Sequence, residues 1–226
     1  MKKIKATLLF CMLLLPYVTF AQNSREYIRN AIRGWGECRN VAITRTNGDL
    51  ALYADNGCAR SGVPKSLNDA ISELNHDRKY IDDIQLTENG KWLILYGNNG
   101  LKWNNIPGSL ESMLRDYNNN GEVITAVTFN DDGDWIIIST EHISASSPSI
   151  QDWVAEGMDS YGGVQTACIT DDGCVVVYEN GYRFLGNVPN DLKTALKETK
   201  LDVYRLKIAG TAWFFADKSG RYRYNM

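Results

Sequence analysis

Cysteine and histidine are the side chains of this sequence best suited to covalent chemistry, and both are scarce, with five cysteines and two histidines in 226 residues. A catalytic thiol needs a neighbouring base or positive charge that lowers its pKa. Cys168 and Cys174 instead flank a turn that contains Asp171 and Asp172, and two carboxylates act in the opposite direction. We therefore expect these thiols to be paired or packed, and the sequence predicts no catalytic residue.

The two histidines lie in different parts of the chain. His76 is followed by Asp77 and Arg78 at the end of a predicted helix, where a polar side chain meets free carbonyl groups. His142 follows Glu141 just after a predicted strand. Cysteine and histidine are too scattered to predict a zinc site, and the acidic run at 130–134 has the spacing of a hairpin turn rather than of a calcium loop. We expect neither a metal nor a cofactor.

Residues 1–21 have the three parts of a secretory signal peptide. A lysine-rich start precedes an apolar run, and Thr19 and Ala21 supply the small residues of a cleavage site before Gln22. The apolar run is shorter than the ~20 residues that a bilayer requires. We therefore expect an exported protein, periplasmic or secreted, with no membrane span once the signal peptide is removed.

Export places the remaining cysteines in an oxidising compartment. Loss of Cys11 with the signal peptide leaves an even number, which is typical of a disulfide framework. Local spacing favours the pairs Cys38–Cys58 and Cys168–Cys174, although four cysteines allow three pairings. Buried free thiols are the alternative, above all for the second pair, whose hairpin geometry would be tight.

A unit of about forty residues repeats along the chain. Two independent landmarks keep this period: the turn glycines Gly48, Gly90, Gly133 and Gly173, and the prolines Pro64, Pro107, Pro148 and Pro189. Two landmarks in phase predict a repeated supersecondary unit. The units span about 41–80, 81–121, 122–163, 164–201 and 202–226, and a helix at 24–34 would complete the fifth.

Each unit has the pattern of a β-hairpin, a short third strand and a helix. Alternating apolar residues lead into a glycine-containing turn and a second apolar run, as a tight hairpin requires. In most units a second glycine and a short aromatic stretch follow. A proline then precedes an apolar pattern at helical spacing, with the expected helix caps Ser66, Ser109, Ser149 and Asp191.

The unit order predicts an α+β repeat in one domain, residues 22–226. We expect a closed five-fold pseudosymmetric ring, with strands toward the axis and helices outside, because neither end has the polar cap of an open solenoid. This arrangement resembles the pentein-like α/β-propellers. The resemblance rests on unit count and element order across residues 22–226, so it implies a fold and no activity. The alternative is a five-bladed β-propeller with helical insertions.

The third unit breaks the template. Glu141, His142 and a serine-rich stretch stand where the sister units carry glycine and an aromatic strand, and sites often form where one copy departs from the pattern. Aromatic residues of the third strands, Trp103, Phe184 and Tyr222, are further candidates for contact with a ligand.

These features predict an exported, non-catalytic binding or interaction module that recognises a protein or glycan through loops of the ring face. The chain has 24 Lys and Arg against 27 Asp and Glu and no basic run, so it lacks the charge pattern of a nucleic-acid-binding protein. The alternative function is that of a Cys/His-dependent hydrolase or transferase with its site at the axial mouth of the ring.

Overall fold

The strands form three-stranded antiparallel sheets. A computed structural model describes residues 24–46 and 48–226, and the predicted signal peptide lies outside these residues. Sheet 1 consists of β1 (Asn40–Ala42), β2 (Asp49–Tyr53) and β3 (Gly57–Ser61), and sheet 2 of β4 (Ile81–Leu86), β5 (Trp92–Tyr96) and β6 (Gly100–Asn104). Sheet 3 consists of β7 (Ile124–Phe129), β8 (Trp135–Ser139) and β9 (Ile143–Ala145). Sheet 4 consists of β10 (Val164–Ile169), β11 (Gly173–Tyr178) and β12 (Gly181–Gly186), and sheet 5 of β13 (Arg205–Ala209), β14 (Ala212–Ala216) and β15 (Tyr222–Tyr224).

Helices alternate with the sheets along the described chain. They are α1 (Ser24–Trp35), α2 (Lys65–His76), α3 (Gly108–Asn119), α4 (Pro148–Tyr161) and α5 (Asn190–Glu198). In every sheet the strands lie side by side in chain order. The predicted α+β repeat of five hairpin, third-strand and helix units is confirmed.

In the first and second units, the second glycine makes room for the tyrosine ring that ends the second strand. A Cβ at Gly100 would lie 2.4 Å from the ring of Tyr96, and one at Gly57 would lie 2.7 Å from the ring of Tyr53. The third unit has Ser139 in place of this tyrosine, as the strand pairing shows. Because no ring needs the space, the unit can also dispense with the glycine, which gives the departure in its sequence a packing cause.

Each helix packs between two neighbouring sheets. Leu67 and Ile71 of α2, for example, share one buried cluster with Leu52 of sheet 1 and Ile84 of sheet 2. The same arrangement holds for α3, α4 and α5. The burial of such side chains from water is the main source of stability in a repeat protein, since each unit covers the apolar face of its neighbour.

Helix α1 lies between the first and the last sheet. Ile28 and Ile32 are fully buried in a cluster with Ala51 of sheet 1 and Phe214 of sheet 5. The backbone N–H of Cys38 donates to the carbonyl of Gly220 at 2.9 Å. The two ends of the described chain are therefore in direct contact.

The predicted helix caps are wrong in four places. Pro64, Pro107 and Pro189 occupy the N-cap positions of α2, α3 and α5, with no capping bond from a side chain. In α4 the cap is Ser147, whose hydroxyl accepts from the backbone N–H of Ile150 at 3.4 Å. Each predicted cap, Ser66, Ser109, Ser149 or Asp191, is instead the second residue of its helix.

The predicted disulfides are absent, since all four described cysteines are free thiols. Cys168 and Cys174 lie on adjacent strands, but Cys168 is opposite Val175 and Cys174 is opposite Ile169. Residues offset by one position point to opposite faces of a sheet, so these sulfurs face apart. The Cys38 and Cys58 thiols instead donate to backbone carbonyls.

Candidate functional site

The first strands of the five sheets bring buried polar side chains together. Strands β1, β4, β7, β10 and β13 contact one another in this order, and β13 also contacts β1. Their pairing with the second strands places five buried residues at one equivalent position: Asn40, Asp83, Ala126, Thr166 and Arg205. We call the surroundings of this position the axial cluster.

The centre of the axial cluster is an ion pair between the second and fifth units. Lys207 Nζ lies 2.6 Å from Asp83 Oδ1, to which Asn40 Nδ2 also donates at 2.6 Å. Gln85 Nε2 donates to the other carboxylate oxygen at 3.1 Å. Burial works to raise the pKa of Asp83, but Lys207 and Arg205 outweigh it and hold that pKa below its usual value. Burial lowers the pKa of Lys207, and Asp83 opposes this shift.

A second ion pair extends the cluster along the same two strands. Arg205, 1% exposed, donates to Asp82 Oδ2 at 2.6 Å, and its guanidinium lies 3.8 Å from the ring centroid of Tyr204. Burial raises the pKa of Asp82 against the opposing effect of Arg205. The four charged side chains form two ion pairs with no net charge, and these pairs connect the second and fifth units.

The thiols lack the environment of a nucleophile. Burial raises the pKa of Cys38 to about 12 and the pKa of Cys168 to about 11, even though Lys207 lies near Cys168. Burial likewise raises the pKa of Cys58 to about 11 and moves the pKa of Cys174 upward. At neutral pH these groups are protonated, whereas the thiolate is the reactive form.

His142, in the turn between β8 and β9, pairs with the carboxylate of Glu122. Its Nδ1 lies 3.1 Å from Glu122 Oε2, and Ser139 Oγ donates to the same oxygen at 2.7 Å. The bond from Ser139 and the neighbouring His142 lower the pKa of Glu122. Within the described residues, neither His142 nor His76 forms a hydrogen bond with a cysteine. The structure thus does not assemble the Cys/His pair of the alternative enzymatic function.

The predicted aromatic candidates lie apart from one another. Trp103, Phe184 and Tyr222 are in the outer strands of sheets 2, 4 and 5. Arg115 of the following helix lies 4.9 Å from the ring centroid of Trp103, and Lys193 lies 5.9 Å from that of Phe184. The rings are half-buried against their own clusters, and Glu141 and His142 lie in another unit. The five candidates are thus distributed over four units.

The turns between first and second strands meet at one end of the axial cluster. We call their surface the first-turn face; its described residues are 44–46, 48, 87–91, 130–134, 170–172, 210 and 211. A small cavity of about 50 Å³ lies at its centre and is lined by residues of all five units, among them Ile43, Leu86, Phe129, Ile169 and Ile208.

Carboxylates connect neighbouring turns across the first-turn face. Glu88 accepts from the backbone N–H of Arg45 at 2.5 Å, Asp131 from that of Asn89 at 3.0 Å, and Asp171 from that of Asp131 at 3.1 Å. The second, third and fourth units thus each hold the turn of the preceding unit. Charge–dipole bonds of this kind are stronger than bonds between neutral groups and order the turns.

The fifth unit has no such carboxylate, and an arginine crosses it. Gly210 adopts a left-handed conformation with φ of +60°, and a Cβ there would lie 3.5 Å from the side chain of Arg45. The Arg45 guanidinium continues past this glycine and forms an ion pair with Asp172 of the fourth unit. The first and fourth units are therefore connected over the fifth.

Tryptophans of the second strands bind the preceding helices. Trp92 Nε1 donates to Ser66 Oγ at 3.0 Å, and Trp135 Nε1 donates to Ser109 Oγ at 3.0 Å. Trp213 Nε1 donates to a carboxylate at 2.9 Å, that of Asp191. These bonds were not predicted, although the sequence carries their signals in tryptophans at one phase of the repeat and a polar residue at the start of each helix.

In the gap that contains α1, an ion pair stands where a tryptophan bonds to the helix in the gaps of α2, α3 and α5. Arg25, the second residue of α1, donates through Nε to Asp49 Oδ2 at 2.7 Å and through a terminal nitrogen to Oδ1 at 3.1 Å. Asp49 takes the position that Trp92 holds in sheet 2, because Tyr53 and Tyr96 end the two strands in register. A charged pair thus replaces the indole and hydroxyl here.

Among the described residues, the gap that contains α4 has neither a tryptophan bonded to the helix nor an ion pair like that of Arg25 and Asp49. Cys174 stands at the tryptophan position, opposite Ile169 as Trp92 is opposite Leu86, and Ser149 is the second residue of the helix. A cavity of about 350 Å³ lies between them. It shares Asn130, Ile169, Thr170 and Asp171 with the central cavity, so the two cavities adjoin in the first-turn face.

Neither a protein-family model nor a curated protein sequence matches the chain. Along the described residues, no helix is long and apolar enough to cross a membrane.

Proposed function

We propose that this protein is an exported, non-catalytic binding module that engages a protein partner through the first-turn face of a closed five-unit ring. The observation that carries the proposal is the charge of this face around its two adjoining cavities. The described residues of the face include six carboxylates, at positions 88, 131, 132, 134, 171 and 172, against two cations, Arg45 and Lys91.

Closure of the ring has three supports. Contacts between the first strands run from β1 to β13 and back to β1. Helix α1 occupies the gap between sheets 5 and 1, as α2 to α5 occupy the other gaps. Arg25 and Asp49 take the places of the helix serine and the strand tryptophan. A closed ring gives the face a fixed shape, which reduces the entropy lost when a partner binds.

The cations of the face are already engaged by its carboxylates. Lys91 Nζ lies 3.7 Å from Asp131 Oδ1, and Arg45 pairs with Asp172. Asp132 and Asp171 are exposed, and the surplus of carboxylates gives the face a negative potential. Such a potential favours a basic protein surface over a neutral glycan and speeds its association.

The test is fluorescence anisotropy of a labelled hexalysine peptide, with hexaglutamate as the opposite-charge control. Mature protein should bind hexalysine, and binding should weaken as salt rises, because the charges involved are exposed. Asp132→Lys should lower the affinity by about tenfold or more, as expected when like charges meet at an interface. Glu198→Lys is the matched control, since this exposed glutamate lies on α5, and it should leave the affinity within about twofold of the parent.

Equal losses for the two variants would show that overall charge alone attracts the peptide and would contradict a site on the first-turn face. Absence of hexalysine binding at low salt would contradict the choice of a basic partner.

A further inference from the structure

The gap beside α4 is the place where the repeat omits a side chain that it uses elsewhere. Three helices receive an indole from the next sheet, and α1 receives a carboxylate that is paired with Arg25. At α4 the hydroxyl is present as Ser149, but the tryptophan is replaced by Cys174. The polar half of the pair is kept and the aromatic half is missing.

The cavity beside Cys174 is large enough for an aromatic ring. Its volume of about 350 Å³ falls in the range of small-molecule sites. Ile150 and Ile169 line it, while Leu185, 45% exposed, lies at its edge. An exposed leucine at the edge of a cavity is a surface that a bound ring would cover.

The polar groups of the cavity specify what the ring should carry. Ser149 Oγ lies 3.0 Å from Ser147 Oγ, and a hydroxyl has two acceptor lone pairs, so it can accept a bond from an incoming N–H. The carboxylates of Asp132, Asp134 and Asp172 also line the cavity. They favour a positive charge next to the ring.

We propose that this cavity binds a tryptophan side chain of the protein partner, flanked by a basic residue, with the indole N–H donating to Ser149. The inference rests on the binding function proposed above and names the group that the first-turn face selects. The incoming indole takes the position that Trp92 and Trp135 hold in their own units. The carboxylates at the edge of the cavity bind the neighbouring cation.

Tryptamine is the probe, because it combines an indole with an ammonium group. Titration into ¹⁵N-labelled protein should shift the amide signals of Ser149, Gly173 and Cys174, with a Kd on the order of millimolar for a ligand of this size. Indole-3-acetate, which has the same ring and the opposite charge, should bind at least about fivefold more weakly. 1-Methyltryptamine lacks the N–H donor and should also bind more weakly.

Two variants test the position from the protein side. Cys174→Trp fills the cavity with the side chain that the sister units use, and it should abolish the tryptamine shifts while the protein stays folded. Trp135→Cys recreates the pair of cysteine and serine beside Ser109, and tryptamine should then also shift signals near Ser109. The three ligands test the parent protein directly, so the inference stays falsifiable if a variant does not fold.

Shifts that map elsewhere, equal binding of tryptamine and indole-3-acetate, or unchanged tryptamine binding by Cys174→Trp would each overturn the inference. These outcomes differ from failure of the proposed function, which is read from hexalysine and Asp132→Lys. If Cys174→Trp still binds hexalysine but not tryptamine, the face and the aromatic position are both supported.

Discussion

Replacement of Asp83 by asparagine should strongly destabilise the protein. Asp83 accepts hydrogen bonds from Lys207, Asn40 and Gln85 while 2% exposed. Asparagine preserves the shape but removes the charge, which leaves the buried ammonium of Lys207 without its partner. Its amide nitrogen would also face the amide nitrogen of Gln85, so that two donors oppose each other.

The distance between the charges of Asp83 and Lys207 sets the size of the expected loss in stability. At the observed 2.6 Å and an effective dielectric constant near 20, the attraction between Asp83 and Lys207 is about 6 kcal/mol. Loss of water costs several kcal/mol per ion, so the pair gives little net stability, yet removal of one partner strands the other and costs about 3–5 kcal/mol. This is a large part of the roughly 5–15 kcal/mol by which a domain is stable.

Urea unfolding followed by tryptophan fluorescence measures the effect. Asp83→Asn should lower the free energy of unfolding by about 3–5 kcal/mol, whereas Asp69→Asn, which breaks an exposed ion pair with Lys65, should change it by less than about 1 kcal/mol. The double variant Asp83→Leu with Lys207→Met should lie within about 2 kcal/mol of the parent. In a cycle with the single variants Asp83→Leu and Lys207→Met, a loss in the double variant equal to the sum of the single losses would refute the reasoning, as would a loss below about 1 kcal/mol for Asp83→Asn.

The same carboxylate predicts an acid limit to stability. The cations hold the folded-state pKa of Asp83 below its ordinary value of 3.8. The stability that Asp83 contributes is therefore present above pH 3.8 and is lost as the pH falls through the folded-state pKa. Acid unfolding of the Asp83→Leu, Lys207→Met variant should not show this loss of stability. Ile32→Ala should lower the free energy of unfolding in urea by about 2–5 kcal/mol, because this side chain is fully buried where α1 meets its two sheets. The control Tyr27→Ala, at a residue 40% exposed, should lower it by less than about 1 kcal/mol. Equally small losses for the two variants would contradict the role of α1. Trp135→Phe should cost about 1–3 kcal/mol through a smaller ring and a lost hydrogen bond, and a neutral result would contradict the contribution of the indole bond. The three buried thiols, Cys38, Cys168 and Cys174, should resist a thiol reagent in native protein and react after unfolding, and their rapid labelling in folded protein would contradict this burial.

The repeat was predictable because its landmarks report local needs of the backbone. A glycine such as Gly90, with φ of +76°, relieves a turn, and Pro64 marks a helix start, and both requirements act within a few residues. Ser66 was wrongly predicted as a cap because its partner, Trp92, is 26 residues away. The local sequence permits both roles, and packing selects one.

The axial cluster was missed for a similar reason. Asp83 and Gln85 alternate with Ile84 in β4, a pattern that is typical of a strand with one face in solvent. Their true environment depends on Lys207, which is 124 residues away in sequence. The disulfide predictions failed because spacing says that two cysteines are near each other but not which face of the sheet each occupies.

The position of α1 has a consequence for the order of folding. Contacts such as Arg29 to the carbonyl of Met226 join residues 197 positions apart, whereas each other helix packs between sheets that adjoin it in sequence. Closing so long a loop carries the largest entropy loss of any such gap, and contacts of high sequence separation form slowly. We therefore expect the gap between sheets 5 and 1 to close last and to open first, so that hydrogen exchange in native protein should be fastest at the amides of α1 and β15.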